Sequence, residues 1–147
     1  MKFVFVCVGN TCRSPMAEAI MNAEIKRRGM KDSYAVSCGV MAFKGSPANE
    51  NAKETAKAFG LDLEAHASKR IYGSLLQGAL VLCMEESITS LVRCMYPDAD
   101  VQSLCGYADL PGEIEDPYGC GLSAYEECFL KMKTCIEIIL DKVEKKK

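Results

Sequence analysis

At 147 residues, with 49% hydrophobic and 26% charged side chains, the chain is the size of one domain whose core needs no disulfide or metal support. A formal net charge of -2 gives no general attraction to nucleic acid, and the basic run Lys145-Lys146-Lys147 reads as a solvated tail. An odd count of nine cysteines argues against a secreted disulfide framework, and the apolar run Phe3 to Val8 is too short for a signal-peptide core or a membrane span, so the expectation is a cytoplasmic protein with reduced thiols and no membrane partner.

Lys2 to Val8, rich in Phe and Val, reads as a buried strand that runs into a glycine-containing loop, and Ser14-Pro15 opens a helix. The core stripe of that helix is expected to include Met16, Ala19, Ile20 and Ala23. The basic pair Arg27-Arg28 suits its C-terminus, and Gly29 its end. A second strand is expected over Tyr34 to Ser37. Asn49 to Phe59 carries alanines and charges at helical spacing and closes at Gly60. Gly78 to Met84 is a continuous apolar run, as a fully buried strand requires. Glu85 to Tyr96 reads as a helix and Val101 to Leu104 as a short strand. The last helix, about Ser123 to Val143, puts Tyr125, Cys128, Met132, Cys135, Ile136 and Ile139 on one face. Strands alternating with helices imply an α/β domain spanning residues 1–147, in which a four-stranded parallel sheet carries helices on both faces.

A ligand is expected beyond the C-terminal end of the first strand. The segment there is Cys7-Val8-Gly9-Asn10-Thr11-Cys12-Arg13-Ser14-Pro15. Its amides, the dipole of the following helix and the Arg13 guanidinium all favour an anion and stabilise Cys7 as a thiolate, the nucleophilic form. Val8 to Cys12 supply consecutive backbone N–H groups for an anion nest, with Gly9 permissive and Asn10 tolerant of a left-handed backbone. Arg13 offers a planar fork for two phosphate oxygens, which lysine does not match. Ser14 is placed to donate its hydroxyl to the Cys7 sulfur. No C-x-x-C pair occurs and the only histidine, His66, has no neighbouring cysteine, so no metal site is expected.

The full nine-residue string resembles the signature of the low-molecular-weight protein tyrosine phosphatases. The likeness continues through Met16-Ala17-Glu18-Ala19, Ser37-Cys38-Gly39 and Asp116-Pro117, which spans nearly the whole chain. It implies a Rossmann-like fold, a phosphocysteine intermediate, a phosphorylated protein as substrate, inorganic phosphate as product, and no cofactor. Phosphoryl transfer needs a proton donor for the leaving group. Asp116 lies in an acidic, proline-bounded loop suited to reaching over a pocket, and the family's general acid is the Asp of this Asp-Pro pair. Glu113 and Glu115 are its understudies. The resemblance also implies that His66, Asn10 and Ser37 hold the loop in shape, and that Cys7 and Cys12 form a reversible, protective disulfide.

Two positions bear on the substrate. Thr11 lies in the loop wall, where phosphotyrosine-selective relatives carry a bulkier aliphatic residue and phosphoarginine phosphatases of the same family carry threonine. A hydroxyl tolerates a guanidinium, whereas a lost methyl costs contact with a ring, on the order of 1 kcal/mol. Tyr118 is expected to form an aromatic wall. The balance tilts slightly to phosphoarginine, with phosphotyrosine fully alive. One rival is an arsenate reductase on the same fold, which needs a relay of further thiols such as Cys83 and Cys94. The other is a phosphoprotein-binding module without turnover.

Overall fold

The computed structural model describes residues 1–146. Four strands, β1 (Lys2–Cys7), β2 (Tyr34–Gly39), β3 (Ala79–Cys83) and β4 (Asp100–Ser103), alternate with six helices: α1 (Arg13–Arg27), α2 (Glu50–Ala58), α3 (Gly73–Leu76), α4 (Glu86–Met95), α5 (Leu104–Tyr107) and α6 (Leu122–Lys145). All strand pairs are parallel and the order across the sheet is β2-β1-β3-β4. Period-two alternation splits the sheet between two cores. Phe3, Phe5, Leu80 and Leu82 face α1, α2, α5 and α6, while Val4, Val6, Val81 and Cys83 face α3 and α4.

Because β2 and β3 lie on opposite sides of β1, the chain leaves β1 and β3 in diverging directions. A crevice opens beyond their C-terminal ends, the place where parallel α/β sheets bind ligands. The segment after Cys7 and the segment after Cys83 both begin there.

Several element bounds shift for identifiable reasons. β1 ends at Cys7, not Val8, because its last sheet partner is Gly39; Val8 is already in the loop and 39% exposed. The buried stripe of α1 is Met16, Ala17, Ile20, Met21 and Ile25, whereas Ala19 is only partly covered and Ala23 is exposed. The helix packs against both β2 and α6, which turns the buried arc away from Ala23. β2 continues to Gly39, and α3 and α5 are four-residue helices too short to leave a periodic signal. The long α6 buries all six residues expected on its core face, with Phe129, Leu140 and Val143 added. Lys145 and Lys146 are solvent-exposed, and Lys147 of the basic tail lies outside the described residues.

Candidate active site

Residues 8–12 curl from the end of β1 into the start of α1, and no side chain caps that helix. Its first amides therefore join those of the loop at the same place. Asn10 takes a left-handed backbone, φ 56, which turns its own N–H onto the Cys7 sulfur at 3.3 Å. The Ser14 hydroxyl lies 2.8 Å from that sulfur. A thiolate has no proton to give, so with Cys7 ionised the hydroxyl is the donor.

The loop is held from behind by a buried polar net. Asn10 Nδ2 donates to Ser14 Oγ and to Ser37 Oγ, both at 2.9 Å, and Asn10 Oδ1 accepts from the Lys69 amide at 2.9 Å. His66 Nε2 meets the Asn10 carbonyl at 2.7 Å. A carbonyl only accepts, so His66 carries its proton on Nε2. Asn10, Ser14 and Ser37 are fully buried; they shape the loop and do not line the cavity in front of it. Gly39 completes the support. A Cβ there would fall 2.5 Å from the Val8 carbonyl and 2.9 Å from the Asn10 nitrogen, so only glycine lets β2 pass this close.

Arg13 is 2% exposed and is oriented by groups from far along the chain. Its Nη1 donates to the Glu85 carboxylate and to the Ile114 carbonyl at 2.7 Å, which occupies both hydrogens of that nitrogen. Nη2 and Nε remain as the free edge of the fork, with Asp116 Oδ2 3.9 Å from Nη2. The acidic loop is anchored at its root, since Ile114 N donates to the Met84 carbonyl at 3.0 Å and Lys131 Nζ to the Glu113 carbonyl at 2.6 Å. Asp116, half exposed, accepts from the Tyr118 amide at 3.0 Å.

Cys7, Thr11, Arg13, Asp116 and Tyr118 share one open cavity of about 400 Å³, whose floor includes Val8, Gly9 and Cys12. Met41, Phe43 and Ser46 add a wall that the sequence reading lacked. Phe43 is 82% and Tyr118 71% exposed, so both flank the mouth with uncovered aromatic surface. Glu113 and Glu115 line a neighbouring hollow instead; the Glu113 carboxylate accepts from the Glu86 amide at 2.8 Å. Glu85 was also missed, and Gly39 entered only within the Ser37-Cys38-Gly39 likeness, with no role attached to it. The one sequence signal for Glu85 was position, two residues beyond the end of β3 and at the same end of the sheet as Cys7.

All nine cysteines are free thiols. Cys12 sits 3.4 Å from the Tyr125 hydroxyl, and burial raises its pKa above the ordinary thiol range. Burial pushes Cys38, Cys83 and Cys128 up to about 12. Cys83 is sealed inside β3, while Cys94 is exposed on α4.

The chain matches the family described as "Low molecular weight phosphotyrosine protein phosphatase" over residues 2–147. It is 31% identical to the low molecular weight protein-tyrosine-phosphatase PtpB of Staphylococcus epidermidis, over 98% of this chain and 100% of that one. To a protein-arginine-phosphatase of Geobacillus stearothermophilus it is 29% identical, with 97% and 96% covered. Among solved structures, a low molecular weight protein tyrosine phosphatase from T. tengcongensis superposes with a TM-score of 0.91 at 39% identity, covering 97% of this chain and 99% of that one.

Proposed function

Because the chain belongs to the low molecular weight phosphotyrosine protein phosphatase family, we propose that it hydrolyses phosphorylated protein side chains through a phosphocysteine, with Cys7 as nucleophile, Arg13 as phosphoryl clamp and Asp116 as general acid. The observation that carries this reading is the convergence of those three side chains on one cavity, with the Ser14 hydroxyl and an amide aimed at the sulfur from behind. The Cys7 thiolate attacks phosphorus while the free edge of Arg13 spans two phosphoryl oxygens. Asp116 gives its proton to the departing oxygen or nitrogen. As a carboxylate it then takes a proton from the water that attacks the phosphocysteine, and inorganic phosphate leaves. The Ser14 hydrogen bond stabilises the thiolate expelled in that second step.

Asp116→Ala tests the assignment. It should slow turnover of a substrate with a poor leaving group far more than one with a good leaving group; equal losses on both remove Asp116 from this role. Retention of full activity in Cys7→Ser would overturn the mechanism as a whole.

For the substrate, Thr11 in the wall tilts the reading slightly to phosphoarginine, and ionised Asp116 can hold a guanidinium. The aromatic surfaces of Phe43 and Tyr118 suit a phosphotyrosyl ring equally well. Catalytic efficiency on phosphoarginyl and phosphotyrosyl peptides, measured beside Thr11→Ile, separates the two. A preference for tyrosine that the substitution leaves unchanged sinks the arginine reading. The free thiols suit a reducing cytoplasm. An arsenate-reducing relay is disfavoured because its first candidate, Cys83, is buried, which pushes its pKa up to about 12, away from the reactive thiolate.

A further inference from the structure

Residues 66–71 pass behind the loop as a strap. His66 and Lys69 grip Asn10, and the strap is tied to β2, with Gly39 N donating to the Lys69 carbonyl and Ile71 N to the Gly39 carbonyl, both at 3.0 Å. Ser68, in the middle of this strap, is 2% exposed and bonds in the opposite direction. Its hydroxyl donates to the Phe43 carbonyl and accepts from the Ser46 amide at 2.9 Å. Its own amide donates to the Ser46 carbonyl, and its carbonyl accepts from the Gly45 amide, both at 2.8 Å. The 43–46 turn carries the Phe43 wall, and that side chain is too exposed to be held by packing. Among the described residues, Ser68 is the only one whose side chain hydrogen-bonds to this turn.

We propose that Ser68 is a positioning residue for substrate binding: through its hydroxyl, one strap holds both the phosphoryl cradle and the Phe43 wall, and so sets the distance between them. The proposal rests on the phosphatase reading above. It implies that the enzyme favours phosphorylated side chains long enough to reach from Cys7 to that wall. Inorganic phosphate, which occupies only the cradle, is indifferent to Ser68.

Removing the hydroxyl leaves the Phe43 carbonyl and the Ser46 amide without this partner, while the backbone bonds of Ser68 persist. Ser68→Ala should raise KM for an aryl phosphate by about fivefold to tenfold with kcat retained, the pattern of lost uniform binding. Competitive inhibition by inorganic phosphate should stay within about twofold of the unsubstituted protein. Ser68→Thr and Ser68→Val form a pair of equal shape that differs in the hydroxyl, so Thr should restore KM and Val should not, even where Ala lowers stability. The chain contains no tryptophan, which makes Phe43→Trp its single tryptophan and, excited selectively over the six tyrosines, a reporter of the wall. Adding Ser68→Val to it should lower the anisotropy of that tryptophan and increase its quenching by acrylamide. An unchanged KM, or a parallel loss of phosphate affinity and kcat, overturns the proposal and assigns Ser68 to general support of the cradle. Inactivity of the unsubstituted protein defeats the phosphatase reading instead, and the fluorescence arm still decides whether Ser68 tethers the wall.

Discussion

Asn10→Ala strikes the loop at the residue on which most of its contacts converge. The substitution removes three side-chain hydrogen bonds, those to Ser14, Ser37 and Lys69, at a position with no solvent exposure. Each orphaned buried partner costs about 1 kcal/mol, and an alanine held at φ 56 adds about 1 kcal/mol more, for a total of about 4 kcal/mol. Against a typical domain stability of about 5–15 kcal/mol, that is a large fraction. At about 2–4 °C per kcal/mol for a chain of this length, the melting temperature should fall by about 10 °C. Asn10→Gly separates the two effects, because it loses the same bonds without the backbone strain. Glycine should therefore be the milder substitution, by about 1 kcal/mol, reversing its usual rank below alanine. Thermal and urea unfolding followed by circular dichroism in phosphate-free buffer measure this cleanly, since a bound anion would stabilise the native state and mask the loss. A fall under about 2 °C for Asn10→Ala, or a glycine variant less stable than the alanine one, would refute the reasoning.

Gly39→Ala forces a Cβ within 2.5 Å of the Val8 carbonyl, so β2 and the loop must separate; a loss of more than about 2 kcal/mol in urea unfolding is expected. Glu85→Gln keeps an acceptor for Arg13 and should retain phosphate affinity, whereas Glu85→Ala frees the guanidinium and should weaken phosphate inhibition about tenfold; equal behaviour of the two variants would show that orientation is not the role of Glu85. Iodoacetamide at pH 7, read by mass spectrometry, should label Cys94 and Cys120, which are exposed, and Cys7, with phosphate protecting Cys7 alone. Cys38, Cys83 and Cys128, whose pKa burial pushes up to about 12, should stay unlabelled, because their thiolate forms only as pH rises toward that value. Peroxide should convert Cys7 to a sulfenic acid that condenses with Cys12, releasing water, and added thiol should restore activity; inactivation that thiol does not reverse would assign Cys12 to packing.

The amino-acid sequence by itself determined whatever depends on neighbours along the chain. Cys7, the loop amides, Arg13 and Ser14 fall within eight consecutive residues, so strand, turn and helix periodicity were enough to bring their chemistry together. The buried face of α6 was legible for the same reason: its spacing is the helix's own. The left-handed turn at Asn10 could be anticipated from residue type, and Asp116, which lines the same cavity as Cys7, was singled out through a family motif. What remained belongs to contacts between distant segments, about which periodicity carries no information. The orientation of Arg13 is set by Glu85 and by the Ile114 carbonyl; the second is a backbone atom with no residue-type signal at all. Ala23 was misplaced because the buried arc of α1 depends on packing against α6 as well as the sheet. Phe43 was overlooked because an exposed aromatic in a turn looks like any surface residue until the strap through Ser68 fixes it beside Cys7. The Cys7 loop is thus a local property of the chain, whereas the orientation of Arg13, the Phe43 wall and the spacing between them arise only when the sheet order draws the ends of β1, β2 and β3 together.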